Sequence, residues 1–215
     1  MAKYGLIIWD FNGTVIDDTQ ISIESINTVL GRRALPQLSG KAAFQDIFTF
    51  PVEEYYRRLG FDFSNEPYSV PADEWVELYN AEKFRAPLNP GVYETLAAIK
   101  EAGVRQMILS ASEKSLLYEQ LKHLGVSEFF NEILGCGDVY AAGKLQLAKK
   151  WAEDKCAEEM KKTLFVGDTD HDFLCAESIG CDCVLYSGGF MSRRRLEALG
   201  APVIDSISEV CSYIF

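Results

Sequence analysis

The sequence predicts an α/β fold: a parallel sheet with helices on both faces and a block of helices inserted after the first strand. Three observations lead there. Residues 4–9 form an apolar run with no polar face, as a central strand buried on both sides must. From residue 90 onward, short apolar runs alternate with helical patterns, and such alternation means parallel strands joined by right-handed crossovers. Between residues 17 and 87 the pattern is helical, with little strand character.

After the strand at 4–9 comes a glycine-containing loop at 10–14. In the helical stretch, Ile21, Ile23, Ile26, Val29 and Leu30 make one apolar stripe. Ser39 is placed to cap a helix running through Phe48. Pro51 suits the first position of a helix over 52–59, which Gly60 stops. Pro71 opens a further helix carrying Trp75, Val76, Leu78 and Tyr79. The rhythm then changes. Helix 92–102 starts after Pro90 and ends at Gly103, followed by a strand at 104–109 and a helix at 112–124 stopped by Gly125. A short strand at 132–134, a helix at 145–153, a strand at 163–166 and an aspartate-rich turn at 167–172 follow, the turn leading into a helix that ends at Ile179. Strand 183–186, helix 193–199, a short strand at 202–204 and helix 207–213 complete the chain. The expected division is a core of residues 1–16 and 88–215 and a helical cap of residues 17–87. There are no internal repeats and no low-complexity segment.

Composition narrows the function classes. The chain has 215 residues, 48% of them hydrophobic and 25% charged, which excludes a disordered or collagen-like chain. A fold of this length buries roughly 70% of its unfolded surface and needs no disulfide or metal to hold it together. Lys plus Arg is 21 and Asp plus Glu 32, for a net charge of −11. That balance argues against nucleic-acid or anionic-membrane partners, although a local positive site can still take a small anion. The run at 4–9 is too short for a signal-peptide core, and no stretch approaches the roughly 18 apolar residues of a membrane helix. The six cysteines form no C-x-x-C pair and have no histidine at zinc-ligand spacing. They read as reduced core thiols of a cytoplasmic protein. Oligomeric state is not legible.

Four fragments carry chemistry: Asp10–Thr14 (DFNGT), residues 108–112 (ILSAS), Lys144, and residues 166–172 (VGDTDHD). Three of them directly follow strands, and ligands bind at the carboxyl ends of strands in an open parallel sheet. Each has a plain local explanation. Asn-Gly favours turns, Ser110 with Glu113 fits a helix capping box, Lys144 suits a solvated helix start, and Asp168, Asp170 and Asp172 suit a turn or a helix cap. Their order and matching strand contexts make the combination far more specific than any member.

With these motifs the whole chain resembles the haloacid dehalogenase superfamily, in its phosphoglycolate-phosphatase-like branch. The resemblance implies a Rossmann-like α/β core with an inserted α-helical cap. It also implies magnesium-dependent hydrolysis of a small phosphorylated metabolite through an aspartyl-phosphate. Asp10 matches the family nucleophile; a carboxylate can attack phosphorus and split one hard step into two. Ser110, the backbone after it at Ala111, and Lys144 match the groups that hold the phosphoryl oxygens, where cations and N–H donors belong. The metal ligands implied are Asp10, the main-chain carbonyl of Asn12 and Asp168, with Asp172 orienting Lys144 or a metal-bound water. Magnesium takes such oxygen ligands at about 2.1 Å.

Asn12 departs from the pattern, because the family's phosphatases carry an aspartate there as general acid and base. An amide cannot exchange a proton at neutral pH. General acid–base catalysis is worth about 10²–10⁴-fold. Three expectations follow: a substrate with a good leaving group such as an acyl phosphate, a proton supplied by Asp17, Asp18, Asp170 or His171, or a phospho-ligand-binding protein with little turnover. On sequence grounds alone, Asn12→Asp should restore the missing group. A 2-haloacid dehalogenase is a further alternative, opposed by the presence of both Asp168 and Asp172. Arg193–Arg195 and the cap residues Arg32, Arg33, Lys41, Arg57 and Arg58 are candidates for contacting a substrate's distal anion. His123, near its helix end, is assigned no function.

Overall fold

The computed structural model describes residues 2–136 and 143–215. In chain order the strands are β1 (Leu6–Trp9), β2 (Arg105–Glu113), β3 (Glu132–Cys136), β4 (Thr163–Gly167), β5 (Asp182–Tyr186) and β6 (Val203–Ile204). The helices are α1 (Thr19–Gly31), α2 (Lys41–Ile47), α3 (Val52–Arg58), α4 (Ser69–Glu82), α5 (Val92–Glu101), α6 (Lys114–His123), α7 (Lys144–Ala152), α8 (Ala157–Met160), α9 (Asp170–Ile179), α10 (Arg193–Glu197) and α11 (Val210–Ile214). The strands form one parallel sheet in the order β3-β2-β1-β4-β5-β6. This is the Rossmann-like α/β fold.

The strand order places the functional crevice. The chain leaves β1 toward β2 and β3 on one side, then returns to lay β4, β5 and β6 on the other. Loops at the carboxyl end of β1 therefore lie between those of β2 and β4, where a sheet of this kind opens a cleft. All four residues of β1 are buried, and the pleat sends them alternately to two cores. Ile7 and Trp9 pack with Val92, Leu96 and Ile99 of α5, whereas Leu6 and Ile8 pack with Phe165, Cys175 and Ala176 on the opposite face.

Helices α1 to α4 hold a third cluster of their own, built from Ile26, Val29 and Leu30 of α1, Phe44 of α2, Phe48, and Tyr55 and Tyr56 of α3. Among the described residues no helix is long and apolar enough to cross a membrane. None of the six cysteines is in a disulfide.

Four local readings change. Gly40, not Ser39, precedes α2, and no side chain caps that helix. Pro51 lies one position before α3, and Pro71 is the third residue of α4. The capping box expected between Ser110 and Glu113 does not form. Strand β2 continues through both residues because its end pairs with β3, Glu113 opposite Cys136. Glu113 itself caps α6 by accepting from the Ser115 and Leu116 N–H groups, so α6 starts at Lys114 rather than Ser112. The short helix α8 was not anticipated.

Candidate active site

Asp10 follows β1 directly, and its N–H donates to the Val166 carbonyl of β4 (2.8 Å), so the neighbouring strand fixes its backbone. Asp168 follows β4, Ser110 lies near the end of β2, and Lys144 is the first residue of α7. Asp172 sits in the first turn of α9, where a carboxylate favours the positive end of the helix. All five side chains are buried. The motifs singled out in the sequence therefore converge.

Lys144 is the hub. Its Nζ donates to Asp10 Oδ1 and to Asp172 Oδ1, the latter at 2.5 Å. The other oxygen of Asp172 accepts from the N–H of Asp168 (3.1 Å), the N–H of Thr169 (3.0 Å) and the Thr169 hydroxyl (2.7 Å). Burial opposes the charge on Asp172, but Lys144 and Thr169 outweigh it and hold its pKa below the usual carboxylate value. Both oxygens of Asp172 are thus committed to aiming Lys144 and closing the turn.

Asp10 shares only the Lys144 part of that support, and Asp168 has none of it. Burial pushes Asp10 up to about 7 even against the Lys144 ammonium, with Asp172 adding to the rise. Burial, then the Asp10 and Asp172 carboxylates, raise Asp168 well above its usual value. Asp168 accepts from the Thr14 hydroxyl (3.0 Å) and the Phe190 N–H (2.6 Å), both neutral donors. Asp10, Asp168 and Asp172 offer oxygens within 4.8 Å of one another, and the ammonium paired within this group is that of Lys144. With all three carboxyls ionised, such a cluster carries an excess of two negative charges in a buried place, a cost that a divalent cation with oxygen ligands would remove.

Two glycines make room for Asp168. A Cβ on Gly189 would lie 2.1 Å from its Oδ2, and one on Gly13 would lie 2.2 Å from the same atom. Gly13 also has a φ of +77°, which other residues resist, but Gly189 does not, so Gly189→Ala tests contact alone. This substitution should weaken divalent-cation binding by about 10–100-fold, as loss of support around a metal ligand does. Calorimetric titration with magnesium reads it; wild-type affinity in the variant would show that the position of Asp168 does not matter.

The Asn12 side chain is held by three hydrogen bonds. Its Nδ2 donates to Asp18 Oδ2 (2.7 Å) and to the Tyr79 hydroxyl (2.9 Å), and its Oδ1 accepts from the Ser112 hydroxyl (2.6 Å). Tyr79 in turn donates to Asp18 (2.7 Å), and the other Asp18 oxygen accepts from the Gly13 N–H (2.9 Å). Asp18 is buried, and desolvation raises its pKa to about 6 against the hydrogen bonds from Asn12, Tyr79 and Gly13. Of the four groups suggested as proton donors, this is the one bonded to Asn12. Asp17 faces Lys41 (3.9 Å), while the ring of His171 lies against Phe50 (4.5 Å between centroids) and Asp170 is partly buried.

The Ser110 hydroxyl accepts from the N–H of Ser112 (3.0 Å), within the stretch between Leu109 and Glu113 where the β2–β3 register shifts. One residue and one segment that the sequence reading does not single out complete the frame. Asn89 donates to the carbonyls of Gly13 (3.0 Å) and Thr14 (2.9 Å), fixing the first loop. Segment 187–192 links the helical block to the site. Gln45 of α2 donates to the Ser187 and Gly189 carbonyls, Arg195 of α10 donates to the Gln45 and Phe48 carbonyls, and Phe190 packs its ring on Phe44 and Phe48.

The suggested anion-contacting cations are engaged elsewhere. Arg33 pairs with Glu66 and Glu74, and Arg32 with Glu74. Arg57 pairs with Glu53, and Arg58 with Glu54. Lys41 donates to the Gly188 carbonyl. Arg193 holds Asp205 and Glu197.

A parallel sheet with an aspartate directly after its central strand, a buried lysine and paired aspartates at the next strand end defines a class. Residues 7–186 match the family model described as haloacid dehalogenase-like hydrolase, and the chain belongs to that family. Within it the chain is phosphoglycolate-phosphatase-like. It is 24% identical to the phosphoglycolate phosphatase of Vibrio parahaemolyticus over 97% of this chain and 95% of the relative. It is 26% identical to that of Pseudomonas syringae pv. tomato over 94% and 76%, respectively. A solved haloacid dehalogenase-like hydrolase from Streptococcus pneumoniae shares the fold, with a TM-score of 0.81, 20% identity and 98% of each chain covered.

Proposed function

We propose that this hydrolase cleaves phosphate monoesters of small metabolites in a magnesium-dependent reaction through an aspartyl-phosphate on Asp10. The observation that carries the reading is the buried Asp10–Lys144–Asp172 array beside Asp168: an ordered nucleophile, one cation aimed at it, and uncompensated carboxylate charge. Asp10 and Asp168, with the Asn12 carbonyl, would hold the magnesium ion, which supplies positive charge against the phosphoryl oxygens. Asp10 attacks phosphorus; the Asp10 oxygen–phosphorus bond forms as the bond to the leaving oxygen breaks. Lys144 and Ser110, with the Ala111 N–H, hold the equatorial oxygens as their charge develops. Water then attacks phosphorus as the Asp10 oxygen–phosphorus bond breaks, releasing inorganic phosphate and regenerating the Asp10 carboxylate; the proton that water gives up balances the one taken by the departed oxygen. Asp172 does not touch the phosphoryl group in this scheme; it positions Lys144. Residues 17–87 act as a cap that shields the crevice from water and selects the leaving group. We place the protein in the cytoplasm, in keeping with six thiols and no disulfide.

The test couples activity to a binding readout. Phosphate release should require magnesium and stop on chelation. Magnesium at 100 times its Kd should stabilise the folded chain by about 2.7 kcal/mol, and Asp168→Asn should remove both effects. A variant that keeps the stabilisation would overturn the ligand assignment.

A further inference from the structure

Between the helical block and the sheet lies a cavity of about 180 Å³. It begins at Asn12, Ala111 and Ser112, beside the proposed phosphoryl site, and its walls are rich in rings, among them Phe44, Phe48, Trp75 and Tyr79. No lysine, arginine or histidine lines it among the described residues. Several polar groups along it are bonded to protein. Ser112 and Tyr79 are tied into the Asn12–Asp18 network, Glu113 caps α6, and the Trp75 indole N–H donates to the Ser22 carbonyl. Ser22 and Tyr55 differ: they are 2% and 3% exposed, both line the cavity, and neither hydroxyl has a hydrogen-bond partner.

We propose that the leaving group of the substrate is uncharged, apolar and ring-sized, as in an aryl or arylmethyl phosphate, with room for one neutral polar substituent at the Tyr55 hydroxyl. This rests on the phosphatase reading above and narrows it. An apolar cavity of about 150 Å³ accepts a benzene ring, so the size fits a ring with a small substituent. A carboxylate in the same place would lose its hydration with no cation to meet it, and the arginines of the helical block are all paired outside. Phosphoglycolate, the substrate in the relatives' names, therefore fits poorly. The site's chemistry agrees from an independent direction. Asn12 offers no proton, and a phenolic oxygen departs with less need of one than an alkoxide does.

The experiment compares benzyl phosphate with phosphoglycolate in the presence of magnesium. Both leave as alkoxides, so the ratio of kcat/KM reports the cavity rather than leaving-group reactivity. Burial of a ring against burial of an unpaired carboxylate should favour benzyl phosphate by at least about 10²-fold. Val76→Arg, at a half-buried wall position, should lower that ratio at least about tenfold. Should the variant fail to fold, the wild-type chain serves with two non-hydrolysable probes. Benzylphosphonate with magnesium should raise Tm more than phosphonoacetate does. Equal or better performance of phosphoglycolate, or a larger shift with phosphonoacetate, overturns the proposal while the phosphatase reading stands. If neither phosphonate shifts Tm and neither ester nor acetyl phosphate is hydrolysed, both readings fall together.

Discussion

Asp10→Asn should lower turnover by roughly 10⁴–10⁶-fold, the scale on which removal of a nucleophile acts when the rest of a site is intact. The variant should fold, because asparagine fills the same volume and Lys144 keeps Asp172 as its partner at 2.5 Å. Stability should move the other way from activity. Asp10 is one of three buried carboxylates around a single ammonium, and removing one lowers the excess negative charge that burial penalises. In magnesium-free buffer the variant should therefore melt above the wild type, and magnesium should stabilise it less. Beryllofluoride, which mimics an aspartyl-phosphate, should bind the wild type and not the variant. A crystal showing beryllofluoride bound away from Asp10 would reject the mechanism. A variant that loses activity and stability together would mark Asp10 as structural.

The second large effect concerns Asn12, and the structure alters what the sequence alone led one to expect. Asn12→Asp places a carboxylate oxygen where the amide N–H now meets Asp18 at 2.7 Å. Two carboxylates at that distance repel, and Asp18 is already buried and fixed by Tyr79 and Gly13. The single substitution should cost about 1–3 kcal/mol of stability and give little gain in rate. Exchanging the two side chains, Asn12→Asp with Asp18→Asn, restores the amide–carboxylate pair and moves the acid to the motif position. The exchanged protein should gain up to about 10²–10⁴-fold in kcat/KM on alkyl phosphates and little on acyl phosphates, whose leaving groups need no proton. Fresh protein checked by intact mass is required, since Asn12-Gly13 invites deamidation. A full gain from the single substitution would show that Asp18 is irrelevant to residue 12. An exchanged protein slower than wild type on both substrates would show that Asn12 serves this site's own chemistry.

Why Asp18 escaped selection from sequence is instructive. It was one of four acidic or imidazole groups near the motifs, and nothing in chain order ranks it. Its partner Tyr79 lies on α4, beyond the rest of the helical block, so their meeting depends on how α1 and α4 pack. Asn89 was invisible for a similar reason: an asparagine before Pro90 looks like a turn residue until the loop it braces is in place. Segment 187–192 shows only a glycine pair ahead of an arginine run. The core was more legible. An apolar strand followed by Asp10, and another followed by Asp168, are local patterns that depend on nothing distant. The failure at Ser110 and Glu113 marks the limit of that approach. Four residues suffice to suggest a capping box, but the register of β2 against β3 decides whether the chain is still extended there.

Phe190 places two loads on one residue. Its N–H sits on Asp168, and its ring sits in the aromatic cluster of the helical block. Any shift of that block is a shift of a donor on a proposed cation ligand. Occupancy of the crevice and occupancy of the cation site are then linked equilibria, each changing the other's constant by the same factor whichever is filled first. Affinities for cation and substrate measured one at a time will not combine as independent constants, and the size of the mismatch measures the stiffness of a six-residue strap.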